Sequence, residues 1–566
     1  MSPEIGQTVS GYAHVQGGDW FDYYNIRLGK ISIIILLISP ALTGIIMNRT
    51  GEMWPFLPIG FVIYSLTFIL SVLILNKFLY IITSGGIIGG TILHVQMVLA
   101  SPTIPGRDPP WYFRGVQRII NSGSTDTIIR RFYDVFNGFH VFLSELYLIL
   151  GSPNAALVGA TTIISIVAPI SAGFFAYTLI QNSRTFVVGL ALTATSQIAV
   201  RFSVIPIAQS IHVMTVGTGM GIIILYLNSG NKKHMITLLL IMGIWTASHK
   251  LPLFFLIGAC IGILFIGEGY HLLIENKMSA TTNLLAILLI AGVLFVLQTS
   301  LLTGYAPRSI LAFLTTPEGL ESASTATGDI VRRPLLSKIF NMLPPGLLIV
   351  SYSTLALSML LLTNYDSYKI RLGVGIVGGA IGTCFLAAAG WAVINRLFGS
   401  LFPLLFSILG VGYVVAQREI PNGQIIALIL FIILTISQAG AAGLALDDPR
   451  RPQPYVSEQD MSAKQWGVSY STEPITADSQ FAISIRPNNL EIATDRFGES
   501  PSLTDNGVLQ QPYSKEDMQT GLVARRNITY YYYPSVYRLY LETDDKHRNI
   551  IYNSESTKIS QGTVVS

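Results

Sequence analysis

"FHVFLSELYLIL", residues 139–150, decides the fold, because everything that follows changes side of the membrane if this run crosses it. The run is strongly apolar but only twelve residues long, and it carries Glu145 near its middle. A helical crossing needs roughly 20 residues to traverse a ~30 Å hydrocarbon core. The stretch therefore reads as a helix lying at the membrane interface.

Around it stand thirteen apolar runs of spanning length: 31–48, 56–75, 78–99, 154–180, 186–203, 209–227, 234–248, 251–270, 281–302, 342–364, 372–391, 397–416 and 423–446. Basic residues in short loops favour the cytoplasmic side, so loop charge tests the count. With the N-terminus in the cytoplasm, the inner loops hold Arg27 and Lys30, Lys77, Arg184, Lys232 and Lys233, Lys277, Lys369 and Arg371, and Arg418. Every inner loop then contains a base. If 139–150 crossed, the Lys232–Lys233 and Lys369–Arg371 loops would move outside, against the rule.

Composition agrees with a lipid environment. The chain is 51% hydrophobic and 12% charged, with mean hydropathy +0.54, about half the charged share of a soluble domain. A net charge of +4 spread over 566 residues gives no basic patch, which argues against a nucleic-acid partner. Cys260 and Cys384 both sit inside apolar runs, with neither metal-site spacing nor a disulfide framework. Residues 1–30 are polar and mildly acidic and lack the basic start of a cleaved leader, so they read as a cytoplasmic segment.

The membrane domain is then 31–446, with two long outer loops, 100–153 and 303–341. From 447 to 566 the chain becomes polar, with period-2 strings such as "NITYYYYPSVYRLYLE" between turn residues. The expected fold is an all-α polytopic membrane protein of about thirteen transmembrane helices, followed by a small extracytoplasmic C-terminal domain, α/β or mostly β. The sequons at Asn48 and Asn527 agree with an outward face for their segments.

The outer side carries more basic residues than a passive loop set requires. In "IPGRDPPWYFRGVQRIINSG", 104–123, Arg107, Asp108, Arg114 and Arg118 crowd beside the membrane. Asp108 before two prolines has the pattern of a helix N-cap. A carboxylate held there by a rigid turn is also able to take a proton from a hydroxyl or to bind a divalent metal. Arg114 and Arg118, four apart, share one face of the following helix, with Trp111, Tyr112 and Phe113 as an interfacial anchor. Lys250 and Arg396 each lie in a tight outer turn at headgroup depth, where a base either snorkels to water or pairs with an anion such as a phosphate. Glu145 and Asp134 compete for the acidic role, Glu145 reading as a solvent-facing residue on the interfacial helix. His140, His212 and His249 are too far apart in sequence to claim a metal site, and a hydrogen-bonded histidine at a helix end is the expected state of each; His249 alone is retained as a candidate.

These segments resemble the GT-C glycosyltransferases, multispanning enzymes that move a sugar from a polyprenyl-phosphate carrier to an acceptor on the outer face. The resemblance rests on "RDPPWYFRGVQRIINSG", on "FYDVFNGFHVFLSELYLILG", which is similar to archaeal members, and on "ASHKLPLFFLIGACIGILF" and "INRLFGSLFPLLFSILGVGYVVA" further on. "SEQDMSAKQWGVSYSTEPITADSQ", 457–480, is similar to the start of the extracytoplasmic domain in such proteins. The resemblance implies that an acidic residue of the first large outer loop, Asp108 here, is the catalytic acid–base group, and that Arg396, a lone Arg ahead of a Pro-containing helix, meets the carrier phosphate. The chain departs from the family pattern in having three spans before Asp108, where many members have one. No second acid adjoins Asp108, which leaves metal dependence and any other cofactor unspecified.

The expected function is transfer of a sugar from a lipid-linked donor to a glycan or protein acceptor. Asp108 is the base, Arg396 and Lys250 hold the phosphate, and Arg107, Arg114, Arg118 and His249 assist in binding substrate. The alternatives are a transporter or flippase, which would want broken helices and charges near the midplane, and a non-catalytic scaffold for envelope glycan assembly.

Overall fold

The computed structural model describes residues 10–50, 56–75, 79–101, 104–105, 108–125, 137–249, 251–268, 281–298, 346, 349–356, 367–390, 394–447, 458–470 and seven strands between 475 and 562. The outer loop 303–341, most of the run 342–364, and Asp126 and Asp134 lie outside them.

The first half is helical. It contains α1 (Ser10–Thr50), α2 (Phe56–Ile74), α3 (Leu79–Leu99), α4 (Asp108–Ser122), α5 (Gly138–Leu150), α6 (Pro153–Ile180), α7 (Ser183–Ala194), α8 (Gln197–Val204), α9 (Ala208–Ser229), α10 (Lys232–Ser248) and α11 (Leu251–Gly262). A π-helical turn, Ile263–Glu268, extends α11, and α12 (Thr281–Val296), α13 (Ser367–Gly390), α14 (Ile394–Glu419) and α15 (Gly423–Asp447) follow. Among the described residues six helices are long and apolar enough to cross a membrane, or seven with the α7–α8 pair taken as one bent span. The protein is a multi-pass membrane protein. Its outer helices show lipid in the pattern of exposed side chains: Ile34, Ile38, Leu42 and Ile45 on α1, and Ile425, Ile426, Ile429 and Ile433 on α15, are about half exposed at i, i+3, i+4 spacing. In water such stripes would be association sites.

Local chemistry starts and stops these helices. Ser152 caps α6, its Oγ accepting from the Ala155 amide at 3.1 Å, with Pro153 in the first turn. Asn231 caps α10 through Lys233 N at 2.9 Å. Gly151, at φ 77°, ends α5 in the left-handed conformation that glycine adopts without strain, and the chain turns at once into α6.

The interior packs α6 against α7 and α9, and α7 against α14. Between helices in lipid there is little hydrophobic driving force, so close approach of small residues supplies contact. Gly258 and Gly262 of α11 face Gly375 and Gly379 of α13, each pair spaced four apart. A Cβ on Gly262 would lie 2.7 Å from the Gly379 Cα.

Two sets of contacts define the ends of the bundle. At one, Arg184 Nη2 donates to the Leu73 carbonyl and, at 3.2 Å, to Tyr413 Oη, while Gly373 of α13 meets Leu179 of α6. At the other, α8 ends, α9 begins and α14 begins: Phe202 packs under Gly399, and Ser210 Oγ donates to Phe202 O at 3.0 Å. Helix α5 has both its ends at this second end. Its first residue, Gly138, abuts Ala247 of α10, and its last, Leu150, lies over Gly159 near the start of α6. Nearby, Thr161 Oγ1 donates to Ser203 O of α8 at 2.8 Å. With 13 residues, α5 is about 20 Å long. It does not traverse the bundle.

The run 186–203, expected as one span, has the length and apolarity to cross but is broken into α7 and α8, bent by 61°.

In the tail, α16 (Glu458–Tyr470) precedes strands β1 (Ile475–Ala477), β2 (Phe497–Glu499), β3 (Ser502–Leu503), β4 (Leu509–Gln510), β5 (Leu522–Arg526), β6 (Arg548–Asn553) and β7 (Thr557–Gly562). Five of them form a mixed sheet of order β2-β1-β5-β7-β6, parallel between β1 and its two neighbours and antiparallel across β5, β7 and β6. β3 and β4 pair separately, and α16 packs on β7.

Candidate functional site

Helix α4 begins at Asp108, so Pro109 and Pro110 occupy its first turn, where a missing amide donor costs nothing. Pro109, Phe113 and Val116, at i, i+4, i+7, form its buried face, and Arg114 and Arg118 lie half-buried one turn apart on the flank. The face packs on α5 through Tyr112, whose ring meets Phe139 edge-on with centroids 4.9 Å apart and lies 4.9 Å from His140, which is buried. Glu145 is exposed on the far side of α5, on the same face as the exposed Val141, Leu148 and Ile149.

The start of α5 is seated on the end of α10. A Cβ on Gly138 would fall 2.9 Å from the Ala247 carbonyl oxygen, so glycine allows the approach. Two residues on, His249 caps α10, and its Nδ1 accepts the Leu251 amide proton at 3.1 Å. In the neutral ring that bond leaves the proton on Nε2, making His249 a donor there. Gln298 supports this turn from the chain after α12, its Nε2 donating to Thr246 O at 2.6 Å and His249 O at 3.3 Å. One turn back, Trp245 donates from Nε1 to Thr215 Oγ1 of α9 at 2.8 Å and presents its ring edge to His212, centroids 5.6 Å apart. Phe255 of α11 covers the other side of His212 at 5.3 Å.

His212 corrects the expectation of a hydrogen-bonded histidine. It is fully buried, and neither ring nitrogen has a hydrogen-bond partner.

Arg396 is the third residue of α14. Its helix begins at Ile394, one turn before Gly399, which rests on Phe202 at the shared end of α8 and α9. Asp108 and Arg396 are placed by their helices alone. Arg107 and Lys250 lie outside the described residues.

No family model matches the chain, and no curated protein does either.

The helices carrying Asp108, Arg114, Arg118, His249 and Arg396 thus begin or end at one end of the bundle, linked in the order α4, α5, α10, α9, α8, α14 by the contacts above. Two half-buried guanidinium groups and an imidazole donor suit an anion. Among the described residues no group of three or more His, Cys, Asp or Glu is placed to hold a metal ion. Sequence reasoning set His212 aside and passed over Gln298. Gln298 is buried, and its Oε1 has no hydrogen-bond partner. The signal for it was a polar amide at the end of a long apolar run, which in lipid is costly unless it has a task.

Proposed function

We propose that this chain is a glycosyltransferase of the GT-C kind, acting on a polyprenyl-phosphate-linked sugar at the end of the bundle where α4 and α14 begin and α10 ends. The observation that supports the reading is that these segments, far apart in sequence and each selected for its charge, begin or end at the same end of the bundle. In the proposed reaction the acceptor hydroxyl oxygen attacks the anomeric carbon while its proton passes to the Asp108 carboxylate. The bond from that carbon to the phosphate oxygen breaks, and the polyprenyl phosphate leaves with the electron pair. Arg396 and Lys250 stabilise the charge that develops on it, with Arg107, Arg114, Arg118 and His249 orienting the substrate.

In this reading the site faces the outer side of the cell membrane. The N-terminus is cytoplasmic, all thirteen apolar runs cross, and residues 447–566 form an extracytoplasmic domain that meets a glycan or protein acceptor. Such an activity belongs to protein glycosylation or cell-envelope assembly.

The test is a comparison of surface glycans from parent and deletion cells, with the deletion carrying either the wild-type chain or Asp108→Asn. Loss of a general base costs about 10²–10⁴-fold in rate, so the product should vanish although protein level is unchanged. Full restoration by Asp108→Asn would remove the mechanism. One observation favours a second reading, a transporter: the broken α7–α8 span, since discontinuous helices line transport sites. A deletion that changes solute uptake but no glycan would select it.

A further inference from the structure

The register of the tail sheet gathers positive charge at one spot. β5 and β7 are antiparallel, with Val523 opposite Ser560, Ala524 opposite Ile559 and Arg525 opposite Lys558. On the other side of β7, Asn553 of β6 also lies opposite Lys558. Arg525, Lys558 and Asn553 therefore form one row across three adjacent strands and share one face of the sheet. Strands stand ~4.8 Å apart, so the row is about 10 Å long.

A bulge sets its third member. Ile550 pairs with Ser560, and the next pair is Tyr552 with Ile559, so β6 carries one extra residue between them. Without it the register would bring Tyr552 opposite Lys558. The bulge puts Asn553 there, an amide in place of a ring.

The two faces of the sheet differ in chemistry. Phe497, Ile475 and Leu522 make one row of the opposite face, and Ala524, Ile559 and Tyr552 make another. α16 packs on β7, so one face is covered, and burial favours the apolar one. The face of Arg525 and Lys558 is then the polar face. The strands contain a single acid, Glu499, which pairs with Ala477 and so belongs to the apolar face. Like charges directly opposite each other destabilise a strand pair, and no acid among the strands shares their face to offset this one. Arginine offers five N–H donors, lysine three and asparagine two. Such a row suits a carboxylate, sulfate or phosphate group.

We propose that the Arg525–Lys558–Asn553 row is a docking site for an acidic glycan, one whose sugars carry carboxylate, sulfate or phosphate groups. Charge complementarity selects this occupant: the two opposed bases match one anionic group, and Asn553 beside them matches a neighbouring hydroxyl. An anionic membrane surface would be met by bases spread over the face, not gathered in one row. In naming the acceptor as acidic the proposal rests on the glycosyl-transfer reading, but docking is measured without catalysis.

The experiment titrates the full-length protein, reconstituted in phosphatidylcholine nanodiscs, with oligogalacturonate, with a sulfated dextran of similar size, with maltooligosaccharide and with phosphatidylglycerol vesicles. At least one acidic glycan should bind saturably, and maltooligosaccharide should not. Lys558→Gln should weaken binding about tenfold, as loss of one bond to a charged group does, and Lys558→Glu should abolish it. Lys558→Glu also sets opposite charges across the strand pair, so its melting temperature should hold or rise; binding lost at full stability is not a folding defect. Arg526→Gln, on the other face, should bind as wild type. Binding of neither acidic glycan, equal binding of maltooligosaccharide, tighter binding of the vesicles, or unchanged affinity in Lys558→Glu would each overturn the proposal. A chain that binds but transfers nothing would refute only the glycosyl-transfer reading, and one that transfers but does not bind would refute only the docking site.

Discussion

Replacing Gly262 by alanine tests the packing that joins α11 to α13. The new Cβ would lie 2.7 Å from the Gly379 Cα, about 1 Å inside ordinary carbon–carbon contact at ~3.5–4.0 Å. Backbone stands on both sides of the contact, so no rotamer relieves it and the helices must separate. A gap of up to ~1 Å forfeits a quarter to a half of each pair's dispersion well of about 0.1–0.2 kcal/mol. Over a few tens of facing atom pairs the loss is about 2 kcal/mol, within the range for overpacked cores. Alanine returns up to about 1 kcal/mol through helix propensity, leaving a net loss of about 1–2 kcal/mol. Gly243, Gly292 and Gly382 serve as controls, because a Cβ at each meets nothing within 4 Å. Alanine at these three should be neutral or stabilising by up to about 1 kcal/mol. The assay is the unfolding midpoint in detergent titrated with sodium dodecyl sulfate. Gly262→Ala combined with Gly379→Ala should lose less than the two singles together, since the first already opens the face. If Gly262→Ala proved as stable as Gly243→Ala, the two facing glycine pairs would not be the contact described.

At the opposite end of the bundle from α5, Arg184→Leu removes the donor to the Leu73 carbonyl and to Tyr413 Oη, which itself donates to that carbonyl at 3.1 Å, and the cation over the Tyr413 ring, 5.3 Å from its centroid. A loss of about 1–3 kcal/mol is expected in the same unfolding assay, and Tyr413→Phe should cost less, because the guanidinium still reaches Leu73. For the phosphate role assigned to Arg396, Arg396→Lys should keep part of the activity, since a point charge remains while the bidentate fork is lost. Arg396→Gln should lose about 2–5 kcal/mol of transition-state stabilisation, read as product formation at limiting and saturating lipid donor. Equal activity and donor dependence in wild type and Gln variant would leave Arg396 as a snorkelling anchor.

The sequence by itself determined that the chain lives in lipid and that 139–150 is too short for a helical crossing, because both follow from local quantities: apolar composition, and the length of an apolar run against the thickness of the hydrocarbon core. It also marked Asp108 as the beginning of a helix, since the two prolines after it fit only a first turn. The tertiary structure alone decided what depends on partners remote in the chain. The facing glycines of α11 and α13 are more than a hundred residues apart, and the amide of Gln438 meets that of Gln197 across 241. A run of residues 186–203 has the hydropathy of one straight helix, because hydropathy records burial and not direction. Only the packing of α15 against its middle reveals the bend there.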